Sequence, residues 1–375
     1  MNSKNEKLER IRLGDYIERF TDNNKDLKYG YELIEGVTSE GIFSTPKGNT
    51  EDVNLKPYKV VRNGAFVYNP SRLNLGSIAY RTDGLCIVSH LYIVFYLNEK
   101  GKKRIDPDYL YMYLRRKEFY REVTFRNFGS QRPEFNFNDM CEIELFLPDI
   151  EIQKRFAAVY RSMVENQKAY ELGLEDLKLA CDGSIEELRR NMSVEEIGPY
   201  IRECDEKNTD LSVTLNQGID VNLQFIPAKR EAEDKESNKI VRTGQFAFNK
   251  VVKANGTKLP IALRKGPDCI ISGSYQVFEI TDQSKLLPEY LMLWLSRPET
   301  HRLCGFNAWG STRDVFPFTE LSKLRFPIPD ITVQQSIANI YNAYVMRKEI
   351  NEQLKAQIKS ICPILIKGSL EEARA

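Results

Sequence analysis

The chain has 375 residues, of which 42% are hydrophobic and 29% are charged, as is ordinary for a folded protein. Its 54 basic and 53 acidic residues leave a formal net charge of +1, which excludes a non-specific polycation. The length suits two or three domains, and no apolar run approaches the roughly 20 residues that a membrane span needs.

The amino-terminal segment and the cysteines indicate a cellular compartment. The chain starts MNSKNEKLER, without the apolar stretch of a secretory signal. The seven cysteines are odd in number, and no two of them have a CxxC spacing. Together these features predict a cytoplasmic protein with reduced thiols.

Residues 1–150 are predicted to form a first domain of mixed strands and helix. The strand-like runs FVYNP, SIAYR and LCIVSHLYIVFYL are punctuated by Gly, Asn and Pro, as turns require. A helical run, YLYMYLRRKEFYREV, follows them. The segment therefore reads as one globular block.

Residues 151–192 change to a helical period. Apolar residues recur mostly three and four apart on an otherwise charged segment, which is typical of a coiled-coil seam. The preceding Pro-Asp-Ile (148–150) marks the start, since proline fits a first helical turn and aspartate caps it. The seam residues that we predict in this helix are Phe156, Val159, Met163, Tyr170 and Leu177.

Residues 193–330 and 331–375 repeat this order as a second domain and a second long helix. KVVRNGAFVYNP (59–70) recurs as KIVRTGQFAFNK (239–250), and PDYLYMYLRR recurs as PEYLMLWLSR. Blocks that recur in the same order indicate a duplicated module. The seam residues that we predict in the second helix are Ile337, Ile340, Tyr344, Leu354, Ile358 and Ile361.

These elements predict an α+β fold, with two pseudo-symmetric α/β domains separated by two long antiparallel coiled-coil helices. If a pseudo-two-fold axis relates the halves, the two helices must run antiparallel. A helix of about 35–40 residues spans roughly 50–60 Å, so the pair is expected to act as a spacer. A duplicated reader on a spacer suits a ligand with its own two-fold relation, of which duplex DNA is the commonest.

The chain resembles the specificity subunits of type I restriction–modification systems over nearly its whole length. The resemblance rests on two variable domains, each followed by a Pro-Asp-Ile-x-x-Gln junction and a long helix. The segments YNPSRLNLGSIA (68–79) and ANGTKLPIALR (254–264) are also similar to segments of such domains. The junction residues are Pro148, Asp149, Ile150 and Gln153 in the first copy, and Pro329, Asp330, Ile331 and Gln334 in the second.

The resemblance implies a non-catalytic DNA-recognition subunit that reads a bipartite asymmetric target, with one half-site per target-recognition domain. It also implies double-stranded DNA, two methyltransferase subunits and a restriction or translocase subunit as partners. S-adenosylmethionine, ATP and Mg²⁺ would then bind those partners, and no cofactor is expected in this chain. Two alternatives stay open: a related system whose partner fuses methylase and nuclease, and a coiled-coil protein–protein adaptor.

Motifs for catalysis are incomplete in this sequence. NPSR (69–72) starts like the Asn/Asp-Pro-Pro-aromatic loop of a DNA methyltransferase but lacks the second proline and the aromatic, so a strand-ending turn is the better interpretation. GFNAWGS (305–311) has the glycine spacing of a phosphate loop, with serine where lysine is needed. His90 and His301 have no counterpart in the other repeat, and we expect neither metal ligation nor a catalytic base there.

Basic and amide side chains in loops are the candidate DNA contacts, because Arg and Lys read guanine and Asn reads adenine through paired hydrogen bonds. Arg132 and Arg313 share one repeat position after Gly-Ser, where a DNA contact and a structural brace both stay open. Trp309 stays open between stacking on a base and burial in a core or interface. The candidates in the differing loops are Lys47, Asn49, Asn69, Arg72, Asn74 and Arg126 in the first domain, and Lys250, Lys253, Asn255, Lys258 and Asn307 in the second.

Overall fold

The structure, a computed structural model, describes residues 8–46, 48, 53–126, 134–228, 235–252, 258–310 and 314–375. The chain divides into two compact units. Unit 1 consists of Met1–Tyr170 with Ile350–Ala375, and unit 2 consists of Glu171–Glu349. Each unit therefore contains one globular domain together with segments of two long helices.

In the described part of unit 1, most of the short strands come first, helices follow, and one more strand precedes the long helix. The strands are β1 Leu8–Arg12, β2 Ile17–Phe20, β3 Gly36–Val37, β4 Phe43–Ser44, β5 Lys59–Val61, β6 Phe66–Tyr68, β7 Ile78–Tyr80, β8 Cys86–Val88, β9 Ile93–Leu97 and β10 Glu144–Pro148. The helices are α1 Glu99–Arg104, α2 Pro107–Leu114, α3 Lys117–Arg126, α4 Phe137–Cys141 and the long α5 Ile150–Asn191, which continues into unit 2.

The strands of unit 1 pair antiparallel around a four-stranded sheet in the order β2–β9–β6–β7. β1 pairs with β10, β3 with β4, and β5 with β8. In the core, Phe66 stacks on Phe95 with ring centroids 5.1 Å apart, and Tyr109 of α2 and Phe119 of α3 are buried. Burial of each such side chain contributes about 1.5–3 kcal/mol, so this core holds the sheet against the helices.

Unit 2 repeats this order. Its described strands are β11 Glu195–Glu196, β12 Ile201–Cys204, β13 Gln217–Ile219, β14 Phe225–Pro227, β15 Lys239–Val241, β16 Phe246–Asn249, β17 Val251–Val252, β18 Ile261–Leu263, β19 Cys269–Ile271, β20 Tyr275–Ile280, β21 Asp314–Val315 and β22 Arg325–Phe326. Its helices are α6 Pro288–Leu295, α7 Pro298–Phe306, α8 Phe318–Leu321 and the long α9 Ile331–Arg374, which continues into unit 1.

The sheet of unit 2 has the same plan as that of unit 1. Its four strands lie in the order β12–β20–β16–β18, and β11 pairs with β22, β13 with β14, β15 with β19 and β17 with β21. Phe246 and Phe278 stack at 4.8 Å, at the repeat positions of the stacked pair in unit 1. The two domains are therefore built alike from strand order to core.

In unit 1, the amino-terminal segment of α5 packs antiparallel on the carboxyl-terminal segment of α9. Phe156 lies against Gly368, and Gln167 Nε2 donates to Asn351 Oδ1 at 2.9 Å. Later residues of α5 thus contact earlier residues of α9, as in an antiparallel pair. Gln167 and Asn351 are both buried, so this polar pair fixes the register of the two segments.

In unit 2, the other segments of α5 and α9 also pack antiparallel. Gly173 lies against Arg347, and Leu188 packs with Ile337 near the start of α9. The predicted fold class, two repeated domains with two long antiparallel helices, is confirmed. Among the described residues, no helix combines the length and the apolarity that a membrane crossing requires.

Val159 corrects the predicted seam of α5. Its side chain is 49% exposed, whereas Ala157, Tyr160 and Gln167 are buried. Successive helical residues differ by about 100° in direction, so a stripe through Tyr160 turns Val159 away from it. The other seam residues are buried or half-buried: Phe156, Met163, Tyr170, Leu177, Ile337, Ile340, Tyr344, Leu354, Ile358 and Ile361.

Candidate nucleic-acid interface

The β6–β7 loop (69–77) of unit 1 carries three of the predicted contacts. Asn69 is half-buried, and its Oδ1 accepts a hydrogen bond from the Ser71 amide at 3.0 Å, which makes it a turn residue. A 3₁₀ turn follows and leaves Arg72 and Asn74 exposed. The loop therefore presents one guanidinium and one amide to solvent.

Gly76 and Arg115 fix the position of this loop. Gly76 has a φ of +96°, and a Cβ there would stand 2.6 Å from the Ser39 carbonyl oxygen, so the position requires glycine. Arg115, at the end of α2, donates from Nη1 to the Gly76 carbonyl at 2.5 Å and from Nη2 to the Glu40 carbonyl at 2.8 Å. One guanidinium thus ties the loop to a neighbouring turn.

Arg126, another predicted contact, ends α3 and is engaged within its own domain. Its Nε and Nη2 donate to Glu122 at 3.1 and 2.8 Å, and Nη2 reaches the Glu142 carbonyl at 3.4 Å. A carboxylate partner reduces the net charge that Arg126 offers to a phosphate. The predicted contacts Lys47, Asn49 and Arg132 lie outside the described residues.

Residues 250–260, called the β16–β18 loop below, connect the corresponding strands of unit 2; they include β17, and the structure describes 250–252 and 258–260 of them. Lys250 is half-buried, and its carbonyl accepts the Phe316 amide at 2.8 Å, which ties the start of the loop to the segment before α8. Lys258 is exposed, and its Nζ donates to the Val221 carbonyl at 3.3 Å. The predicted contacts Lys253, Asn255 and Arg313 lie outside the described residues.

His301 of α7 anchors the far end of this loop. Its side chain is 3% exposed, and its Nδ1 accepts the Leu259 amide at 3.1 Å. Acceptance at Nδ1 requires a neutral ring with the proton on Nε2. Burial, and then the charge of Lys258, lower the pKa of His301 and favour that neutral ring. The position of the chain beside Lys258 therefore depends on an uncharged imidazole.

The end of α7 presents an amide and an aromatic ring. Asn307 is half-buried and caps the helix, with its own amide donating to the Leu303 carbonyl at 3.0 Å. Trp309 is 56% exposed, and its main chain pairs with Val315. Trp309 is therefore not a core residue of this domain, and its ring is accessible for contact.

The chemistry that both loops offer is hydrogen bonding by amide, guanidinium and ammonium groups. Arg72 and Asn74 lie together in one loop, while Lys250 and Lys258 lie at the two ends of the other. In the part of the chain that the structure describes, no cluster of three His, Cys, Asp or Glu side chains is arranged to hold a metal ion. Guanidinium, ammonium and amide groups are the kinds of side-chain group that contact base edges and phosphates in protein–DNA complexes.

The chain matches one family model twice. The model is described as the type I restriction modification DNA specificity domain, and it matches residues 5–167 and 196–360. No curated protein matches the sequence.

Three solved structures are similar to this chain, and each comparison covers nearly the whole length of both chains. The S subunit of a type I restriction-modification system from M. genitalium is 11% identical, with 98% of this chain and 96% of that chain covered and a TM-score of 0.60. The HsdS subunit from Thermoanaerobacter tengcongensis is 17% identical, with 97% and 96% covered and a TM-score of 0.39. A structure that concerns complex assembly and conformational transition of the type I R-M system is 16% identical, with 97% of each chain covered and a TM-score of 0.47. The likeness to the M. genitalium subunit shows a shared fold.

Proposed function

The chain belongs to the family of type I restriction modification DNA specificity domains, and we propose that it is the sequence-reading subunit of a type I restriction–modification complex. It reads a bipartite asymmetric target, with one half-site for each globular domain. It carries no catalytic step itself, and the S-adenosylmethionine, ATP and Mg²⁺ of the reaction bind the partner subunits.

The observation that carries this proposal is that corresponding loops of two similar domains present different side chains. The β6–β7 loop exposes Arg72 and Asn74, whereas the described residues of the β16–β18 loop expose Lys258. Amides match adenine and cationic groups match guanine at the edges of the major groove. Two domains of one architecture with different loops suit two half-sites of different sequence.

The long helices supply the second part of the proposal, which is assembly. Leu172 and Leu179 of α5 are 65% and 70% exposed, and apolar side chains on the outer face of a helix suit a helical partner. We assign this face to one methyltransferase subunit, expect a second methyltransferase subunit on the other half of the chain, and expect a restriction or translocase subunit to join them. A helix rises about 1.5 Å per residue, so we expect the lengths of α5 and α9 to set the number of base pairs between the two half-sites.

A selection from a random duplex library tests the proposal. The chain, purified together with a candidate methyltransferase subunit, is expected to enrich duplexes that carry two short half-sites at one fixed gap. The affinity should fall roughly 10³-fold between about 50 and 200 mM salt if six or so phosphates are contacted. Tight binding of the methyltransferase without enrichment of any sequence would favour the adaptor alternative instead.

A further inference from the structure

Each domain exposes a phenylalanine at the same repeat position. Phe125, next to the last residue of α3, is 82% exposed, and Phe306, the last residue of α7, is 87% exposed. Both stand at the same distance from the proline that opens the repeated block PDYLYMYLRR or PEYLMLWLSR. Single exposed apolar side chains are common on protein surfaces, so the recurrence, rather than the exposure, is the informative observation.

The helix that carries this phenylalanine differs between the two repeats. α3 has the sequence KEFYREVTFR and α7 has PETHRLCGF. A glutamate and an arginine are shared as well, and they pair with each other at 3.3 Å in unit 1 and 3.6 Å in unit 2, so their charges offset locally. The shared residues are Glu118, Arg121 and Phe125 in α3, and Glu299, Arg302 and Phe306 in α7.

In unit 1, the phenylalanine stands beside the loop that presents the candidate contacts. α3 packs against the 3₁₀ turn of the β6–β7 loop, and Val123 shares a core with Leu73 of that turn. Phe125 therefore extends from the helix that supports the exposed Arg72 and Asn74.

In unit 2, the phenylalanine has the same relation to its loop. His301 of α7 holds the Leu259 amide, which is next to the exposed Lys258. Asn307 follows Phe306 directly, and the exposed Trp309 comes two residues later. Each phenylalanine thus lies on a helix that contacts the loop of its own domain, and the exposed polar side chains of these loops differ between the domains.

We propose that Phe125 and Phe306 are aromatic DNA contacts, each inserting against the base stack of its own half-site. This inference rests on the proposed function and adds a contact class to it. Loops that read different bases must differ, whereas the faces of stacked bases are alike in every sequence, which suits a residue that both domains share. Phenylalanine is among the side chains that wedge between base steps, and loss of a stacked ring lowers affinity by roughly tenfold.

Substitution of each phenylalanine tests the inference. The variants are Phe125→Ala and Phe306→Ala, with Phe125→Trp and Phe306→Trp to retain a ring, all in the complex with the methyltransferase. On a duplex enriched by the wild-type complex, each alanine variant should bind about tenfold more weakly, and each tryptophan variant within about threefold of wild type. The salt dependence should not change, because no phosphate contact is lost. Phe146→Ala on β10, where the ring is 45% exposed, is the control and should bind as wild type.

The same preparations separate the other outcomes. Native mass spectrometry should show the same number of methyltransferase subunits in every variant, and thermal melting should be unchanged because the truncated side chains are exposed. Affinity unchanged in both alanine variants would overturn the inference, as would a loss of affinity that follows release of methyltransferase, which would assign the rings to a protein interface. A wild-type complex that enriches no sequence would overturn the proposed function itself, before any variant is compared.

Discussion

Gln153 and Gln334 occupy one position in the two repeats and make the same three hydrogen bonds. Gln153 Nε2 donates to the carbonyls of Arg104 at 3.1 Å and Pro148 at 2.8 Å, and its Oε1 accepts the Asp106 amide at 3.0 Å. The side chain is fully buried. One amide thus joins the start of α5 to the strand before it and to the turn before α2.

Gln334 does the same in unit 2. Its Nε2 donates to the carbonyls of Lys285 and Pro329, both at 2.8 Å, and its Oε1 accepts the Leu287 amide at 2.9 Å. It is also fully buried. The spacing Pro-Asp-Ile-x-x-Gln therefore has a structural cause: the glutamine lies one helical turn after the junction and satisfies main-chain groups that burial would leave unpaired.

Removal of either glutamine should be strongly destabilising. Gln153→Ala or Gln334→Ala leaves two carbonyls and one amide without a partner in the interior, at a cost of about 1–3 kcal/mol for each group. We expect the free energy of unfolding, measured with guanidinium chloride, to fall by roughly 3 kcal/mol or more. Gln335→Ala is the matched control, because its exposed side chain reaches Asn339 at the surface, and it should change stability by less than about 0.5 kcal/mol. Similar small losses at all three positions would contradict this role.

The buried pair of Gln167 and Asn351 predicts energetic coupling between α5 and α9. Gln167→Leu or Asn351→Leu alone removes the hydrogen bond between these two buried amides and should cost about 1–3 kcal/mol of unfolding free energy. The double variant should cost less than the sum of the two single variants, because the hydrogen bond that the two residues share is lost only once. A double-mutant cycle by urea unfolding measures this coupling, and simple additivity would show that the pair does not set the helix register.

Arg115 is expected to act on DNA reading through the loop that it holds. Arg115→Met releases the carbonyls of Gly76 and Glu40, so discrimination at one half-site should fall by roughly tenfold while the other half-site is read normally. Arg116→Met is the control, because that guanidinium lies 3.6 Å from the Tyr113 ring centroid instead. Competition binding with single-base changes in each half-site is the measurement. Equal losses at both half-sites would contradict a local role.

Because His301 is buried and neutral, we expect mild acid to lower the folding stability of unit 2. Burial, and secondarily Lys258, lower its pKa in the folded chain, so the unfolded chain binds more protons as the pH falls through the ordinary value of 6.5. Stability is then present above that pH and is lost below it, with a slope of at most about 1.4 kcal/mol per pH unit. Unfolding of His301→Asn, whose Oδ1 can accept the Leu259 amide, should depend less on pH between about 7 and 5. An unchanged slope in this variant would assign the acid response to other groups.

The repeat and the helical period made the architecture predictable from the sequence. Duplicated blocks imply one fold used twice, and long heptad stripes imply paired helices. Val159 shows the limit of the period, because a spacing of three or four residues allows two neighbouring stripes on one helix. The stripe that is buried runs through Ala157 and Tyr160, because these residues pack into the core of unit 1.

The candidate site was less accessible to sequence reasoning. The exposed Arg72, Asn74 and Lys258 follow from loop composition, but Arg115 acts on main-chain carbonyls far from it in the chain, and no motif marks such a contact. A comparison of the repeats offered one signal, since serine stands at the matching position 296. Phe306 and its counterpart recur in the two repeats, as core residues such as Phe246 and Phe66 also do, and only the exposure of Phe306 and Phe125 in the structure separates them from core residues.

On the proposed function, each domain reads its own half of a bipartite target. Replacement of residues 193–330 by the corresponding domain of another specificity subunit, followed by selection from a random duplex library, tests it most directly. If the domains read independently, one half-site changes to that of the donor while the other half-site and the gap stay the same. A change in both half-sites, or in neither, would contradict it.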